Sequence, residues 1–277
     1  MTLSARSAVF KGGMVFSLLC LLICIAASIK VIPVYPAMEP EIAVRSGGLF
    51  HLLFERSLNP SLLAVHCCVA VSVLYSFLSI IFIYFYFEKT QSPEILFVAF
   101  FAVSFSPEML RLILPLGRVY EIPMLYLLVV SRVILFCRCF GIFSLFTTGI
   151  YAVDFGTQRQ RNAVLFIVVI SLIIALGIPV DSHTWDSGLN MVNGYISMFR
   201  LIEVGAFFIT TVGFFIAAWS RQLREFAFIG TGTALLFLGR IVLLTADTWA
   251  GPFTGLVFLV SGTWLVCANL HKAYLWL

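Results

Sequence analysis

Charge is what this sequence has least of. Only 11% of its 277 residues are Asp, Glu, Lys or Arg, against about 25% in an ordinary soluble domain. So little polar surface cannot cover a fold in water, and a soluble domain is excluded. Histidine is also scarce: His51, His66, His183 and His271 are the only four. No two stand at zinc-ligand spacing and no mid-membrane pair suits haem, so neither a metal nor a cofactor is expected. The chain has no phosphate-cradling glycine loop, no nucleophile elbow, and no obvious signature of an intramembrane protease or lipid transferase. The formal net charge of +4 comes with no basic run, so no nucleic-acid partner is expected. The seven cysteines (Cys20, Cys24, Cys67, Cys68, Cys137, Cys139 and Cys267) all lie in apolar stretches. That excludes a disulfide framework and makes them small apolar residues of packed helices.

What is present is apolar length. Hydrophobic residues make up 61% of the chain, 28 of them Phe, and the mean hydropathy is +1.07. A spanning helix takes about 20 apolar residues. Spans are expected at about Gly13–Ile29, Ser61–Phe87, Ile95–Leu116, Ile122–Ala152, Ala163–Ile178, Ile196–Trp219, Phe226–Leu244 and Phe253–Leu270. The runs lack the two-residue alternation of a membrane barrel. The expected fold is therefore all-α, a polytopic helical membrane bundle in which residues 1–277 form one integral domain. Gly141 is a candidate bend in the long fourth span, and Pro107 should kink the third by removing a backbone hydrogen bond to Val103. Gly232 and Gly239 share one helix face; Gly251, Gly255 and Gly262 share another, and both suit close helix contact within the bundle.

The first span has a second reading. Arg6 and Lys11 precede its apolar core, and Ala26-Ala27-Ser28 resembles a cleavage region, which would leave seven spans. Its nearly full apolar length favours an uncleaved span and eight. Orientation follows from the basic residues. With the N-terminus inside, eight lie at cytoplasmic ends (Arg6, Lys11, Lys89, Arg159, Arg161, Arg221, Arg224, Lys272) and four outside (Lys30, Arg45, Arg56, Arg118). Both termini are thus expected in the cytoplasm, and the membrane is the inner one if the source is bacterial. The longest connection is the outer loop 30–60. Val31 to Pro36 reads as extended chain, and the Leu49–Glu55 region as a short surface helix. In the second outer loop, Trp185 is expected to anchor at the interface.

Charges inside spans carry the functional expectation, because each is paired or faces a wet cavity. At 1.5 Å per residue, Glu108 lies roughly 20 Å along the third span, with Arg111 one turn further out. Arg132 is about 15 Å down the fourth, Glu203 in the outer third of the sixth, and Arg240 about 21 Å up the seventh. Glu108, Arg111, Arg132, Glu203 and Arg240 therefore share an outer depth and form the candidate ligand site. Arg138 is deeper, and about 240° around its helix from Arg132. Three arginines against two glutamates suit an anionic or zwitterionic ligand. The competing reading makes Glu108–Arg111 and Arg200–Glu203 pairs on their own helices, with Arg132 and Arg240 fixing the packing.

The expected function is a receptor-like or sensor-type bundle that takes a small polar or anionic ligand from the exterior. Signalling would then need a membrane or cytoplasmic protein partner, since no cytoplasmic segment is long enough to fold. A secondary transporter of a small solute is the alternative; Arg138, Ser144, Thr147 and Thr148 are the only hints of a path inward. A structural subunit of a membrane complex and an enzyme acting on lipid complete the set, with no catalytic residue to name.

Overall fold

The computed structural model describes residues 3–35, 61–87, 92–153, 160–186 and 188–275. It is an all-α bundle in which eight helices are long and apolar enough to cross a membrane. Helix α1 is Leu3–Val31 and α2 is Leu62–Phe87. The third span is broken into α3 (Pro93–Val103), a 3-10 helix (Ser106–Leu112) and α4 (Ile113–Val119). Then come α5 (Met124–Val153), α6 (Gln160–Gly177), a hairpin of β1 (Val180–Trp185) and β2 (Met191–Asn193), α7 (Ile196–Arg221), α8 (Arg224–Thr245) and α9 (Ala250–Leu275). Alternation of eight spans puts both chain termini at the end opposite the hairpin. That is the end that the positive-inside count expects in the cytoplasm.

The third span is the buried centre. Of its best apolar window 78% is enclosed by the bundle, against 22% for the first, fifth and sixth spans. Its sequence explains the break. Ser92 is extended (φ −65°, ψ 124°) and Pro93 opens α3, where its missing N–H is not needed. Pro107 cannot donate to the turn before it, and the chain tightens into 3-10 geometry from Ser106 instead of making a simple kink. Runs of that geometry rarely exceed a few residues, and inside a helix they often mark functional segments. The bend is locked by hydroxyls: Ser106 Oγ lies 2.7 Å from Ser76 Oγ and donates to Ser17 Oγ at 2.9 Å, and Ser17 and Ser76 are 3.2 Å apart. This ties α1 into the core.

The glycine faces expected to pack do so within the bundle, between α8 and α9. A Cβ on Gly239 would stand 2.9 Å from the Leu259 backbone nitrogen, and one on Gly262 2.8 Å from the Gly232 carbonyl. Gly141 has a packing role. Helix α5 runs unbroken through it, and the missing side chain instead makes room for Ser104 and Arg240.

One further expectation needs revision. The chain after Val31 is not extended: Ile32–Val34 form a 3-10 turn, because Pro33 sits in its first turn, where proline is tolerated, and Tyr35 is buried against His66. The second outer loop is a hairpin, with Val180 opposite Asn193, Trp185 opposite Met191 and an irregularity between. Its turn closes through Leu189 N–H to the Asp186 carbonyl, 3.0 Å, and Leu189 takes φ 54°. The surface helix expected near Leu49–Glu55 and the side chain of Trp185 lie outside the described residues.

Candidate functional site

The broken third span delivers two charges to the bundle interior. Glu108 and Arg111 sit one 3-10 turn apart, 2% and 1% exposed, with Arg111 Nη1 3.5 Å from Glu108 Oε2. Burying a carboxylate so fully is tolerable only if it is paired and hydrogen-bonded. Its main partner comes from α5. Arg138 Nε donates to Glu108 Oε1 and Arg138 Nη2 to Oε2, both at 2.7 Å. This fork-on-fork arrangement is the strongest geometry available to such a pair.

The same arginines hold the hairpin. Arg138 Nη2 also donates to Asn190 Oδ1 at 2.9 Å, Arg111 Nη2 donates to the Gly188 carbonyl, and Asn190 Nδ2 donates to that carbonyl at 3.0 Å. The 186–190 turn is thereby pinned over the ionic cluster.

Beside the cluster, between α5, α7, α8 and the turn, is a cavity of about 620 Å³. Arg138, Arg200, Arg240, Glu203, Asp186 and Asn190 supply its polar wall; Leu135, Ile178, Met191, Phe199, Val204, Ile241 and Leu244 supply the apolar one. Arg240 is its deep charge, 1% exposed. Its Nε lies 3.5 Å from Glu203 Oε1, beyond good hydrogen-bond length. Neither its Nε nor its Nη2 has a hydrogen-bond partner among the described residues.

The structure thus brings together four of the five residues expected at a shared depth: Glu108, Arg111, Glu203 and Arg240. It places Arg132 elsewhere. Arg132 Nη1 reaches the carbonyls of Ala175, Leu176 and Ile178 at 2.5, 2.8 and 2.5 Å, supplying donors to the last turn of α6, whose carbonyls have no partners within the helix. Arg138 takes its place in the cluster. The 240° between the two does separate them, but Arg138 and not Arg132 faces the cluster. Depth misled, because a long arginine stem reaches several ångströms along the helix from its own Cα. Arg200, which the competing reading pairs with Glu203, is exposed and lines the cavity.

Asn190 and Gly188 were missed as cluster residues. Their signal was the Asp186-Ser-Gly-Leu-Asn190 composition of a tight turn; nothing local shows that the turn folds back onto Arg111 and Arg138.

Toward the opposite end the interior becomes aromatic, beside a second cavity of about 210 Å³ between α1, α2 and α3. Phe97, Phe101, Phe105, Phe214, Phe226 and Phe237 are all fully buried. Among the described residues no group of three or more metal-ligating side chains forms.

A Ser–His pair does occur near the hairpin end of α1. Ser28 Oγ and His66 Nε2 are 2.9 Å apart, and His66 Nδ1 is 2.9 Å from Tyr35 Oη. That spacing is what a nucleophile and its base require. Here, however, Ser28 donates its proton to the Cys24 carbonyl at 2.7 Å. One direction of donation, from Tyr35 through His66 and Ser28 to Cys24, then satisfies every group, and it makes Nε2 a donor instead of a base. The chain pins the Ile32–Val34 turn to α2.

A scan against protein-family models found no match, and neither did a comparison with curated proteins.

Proposed function

We propose that this protein is a receptor-like membrane bundle that binds a small anionic or zwitterionic ligand in the cavity beneath the hairpin, from the exterior. The supporting observation is Arg240. A buried guanidinium with two donor nitrogens unsatisfied is a large local penalty, and this one lines a cavity of ligand size. An anion there would complete its hydrogen bonds, and Glu203, beside it in the same cavity, would face a cationic group on the same ligand. The hairpin turn, tied to Arg111 and Arg138, is the element whose position ligand could bias. Any signal would pass to a partner protein.

The aromatic packing below the cluster favours a receptor over a carrier. A secondary transporter is the second reading, favoured by the interrupted third span, since broken helices beside mid-membrane charge are how many carriers hold solutes.

The test is thermal stability of purified protein against carboxylates, phosphates, amino acids and nucleotides, wild type beside Arg240→Gln. A ligand at a hundred times its dissociation constant stabilises by about 2.7 kcal/mol. Stabilisation of wild type by one anion class and not of the variant is expected. Equal response of both, or response only to cations, would falsify the reading. Uptake of that anion into proteoliposomes would move the protein to the transporter class.

A further inference from the structure

The cavity wall is more apolar than polar, and it is open on its side. Helices α7 and α8 touch at Gly230 against Phe214, at Phe237 against Phe207, and at Arg240 against Glu203. Past Arg240, toward the hairpin end, Arg200 and Val204 of α7 and Ile241, Leu244 and Thr245 of α8 line the cavity. Val204 is 44% exposed, and Arg200 and Thr245 are exposed. Val204 lies eight residues into α7, about 12 Å below the start of the span. The side opening therefore reaches well into the hydrocarbon depth of a bilayer, whose core is about 30 Å thick.

A ligand carrying only charge leaves the wall of Leu135, Ile178, Phe199, Val204, Ile241 and Leu244 unused. A ligand with an apolar body packs against it by dispersion, the attraction that operates between apolar groups within a bilayer. Arg240, the deep charge of the cavity, suits the charged end of such a molecule, and the apolar wall lies between it and the hairpin end.

Resting on the binding reading above, we propose that the occupant is a single-chain anionic amphiphile that enters sideways from the bilayer between α7 and α8. Its carboxylate or phosphate head lies at Arg240, and its chain lies along Phe199, Val204, Ile241 and Leu244.

The test uses the full chain in nanodiscs of zwitterionic lipid, with radiolabelled dodecanoate as probe. Dodecanol, dodecyltrimethylammonium, dodecyl phosphate, acetate and inorganic phosphate serve as competitors. Saturable binding of one dodecanoate per chain is expected, displaced by dodecyl phosphate but not by the alcohol or the cation. Arg240→Gln should weaken it at least about tenfold, the value of one hydrogen bond to a charged group. Val204→Trp, at an exposed position that leaves the core intact, should slow association by a similar factor. If acetate or phosphate competes as well as dodecanoate, the amphiphile is overturned and the anion site stands. An unchanged association rate in Val204→Trp overturns the lateral entry. If no anion binds, both this inference and the binding reading fall.

Discussion

Arg138 meets Glu108 with two parallel hydrogen bonds of 2.7 Å, joining α5 to the 3-10 segment of the third span. Glu108 is 2% exposed and Arg138 13%, and Arg111 and the hairpin turn are joined to the same pair. In a medium that cannot solvate a lone charge, such a pair is a structural commitment: removing one partner strands the other.

Glu108→Gln should therefore be among the most damaging single changes in the chain. It keeps the side-chain shape but leaves Arg138 and Arg111 without a counter-charge. A loss of about 3–5 kcal/mol is expected, read as unfolding in detergent. Glu108→Leu combined with Arg138→Met should recover most of that loss, because an apolar pair of similar volume replaces a buried ion pair at little net change. A double variant as unstable as the single one would show that the pair is not the cause.

Arg132→Ala tests the division of labour between the two arginines of α5. It removes the donors at the end of α6, at roughly 1–3 kcal/mol, and should leave anion binding unchanged. Arg138→Ala should lower both stability and anion affinity. If Arg132→Ala abolished binding while sparing stability, the assignment would be reversed.

The contact of α8 with α9 predicts a sharp contrast among glycines. Gly262→Leu places bulk where the Gly232 carbonyl and Leu236 already stand, and a loss of about 1–3 kcal/mol is expected from overpacking. Gly12→Ala, with nothing within 4 Å of the added carbon, should be silent. Equal effects would mean that the two helices are not held as described.

Reporter fusions after Arg161 and after Arg224 should both score cytoplasmic. The first follows the fourth span and the second joins the sixth to the seventh, so each lies at the end opposite the hairpin. An exterior signal at either would invert or break the topology.

Much of the scaffold was legible because lipid leaves few alternatives. Twenty-residue apolar runs become spanning helices, and the eight expected spans match the eight observed to within a few residues at most ends. The charged depth of the third, sixth and seventh spans was legible for the same reason. Rotational phase was not. The angle between Arg132 and Arg138 follows from helix geometry, but which of them faces inward depends on neighbours that a single helix does not encode. The Pro107 break was foreseeable, whereas its conversion to a 3-10 turn depends on the Ser17, Ser76 and Ser106 hydroxyls meeting from three helices. The hairpin was hidden because its strands are short, and the tertiary contacts of Arg111 and Arg138, not alternation, hold its turn.

The central claim is that the cavity beneath the hairpin is open and electropositive because of Arg240. It is tested without knowing the ligand by thiol labelling of Leu244→Cys in a background lacking the seven native cysteines. Matched negatively and positively charged reagents are compared, and rates are normalised to Trp249→Cys at the same end of the bundle. A preference for the anionic reagent of at least about tenfold is expected, as charge-lined clefts raise encounter rates by that order or more, and Arg240→Gln should remove most of it. No labelling at Leu244→Cys, or a preference for the cationic reagent, would contradict the account and leave Arg240 as a packing charge.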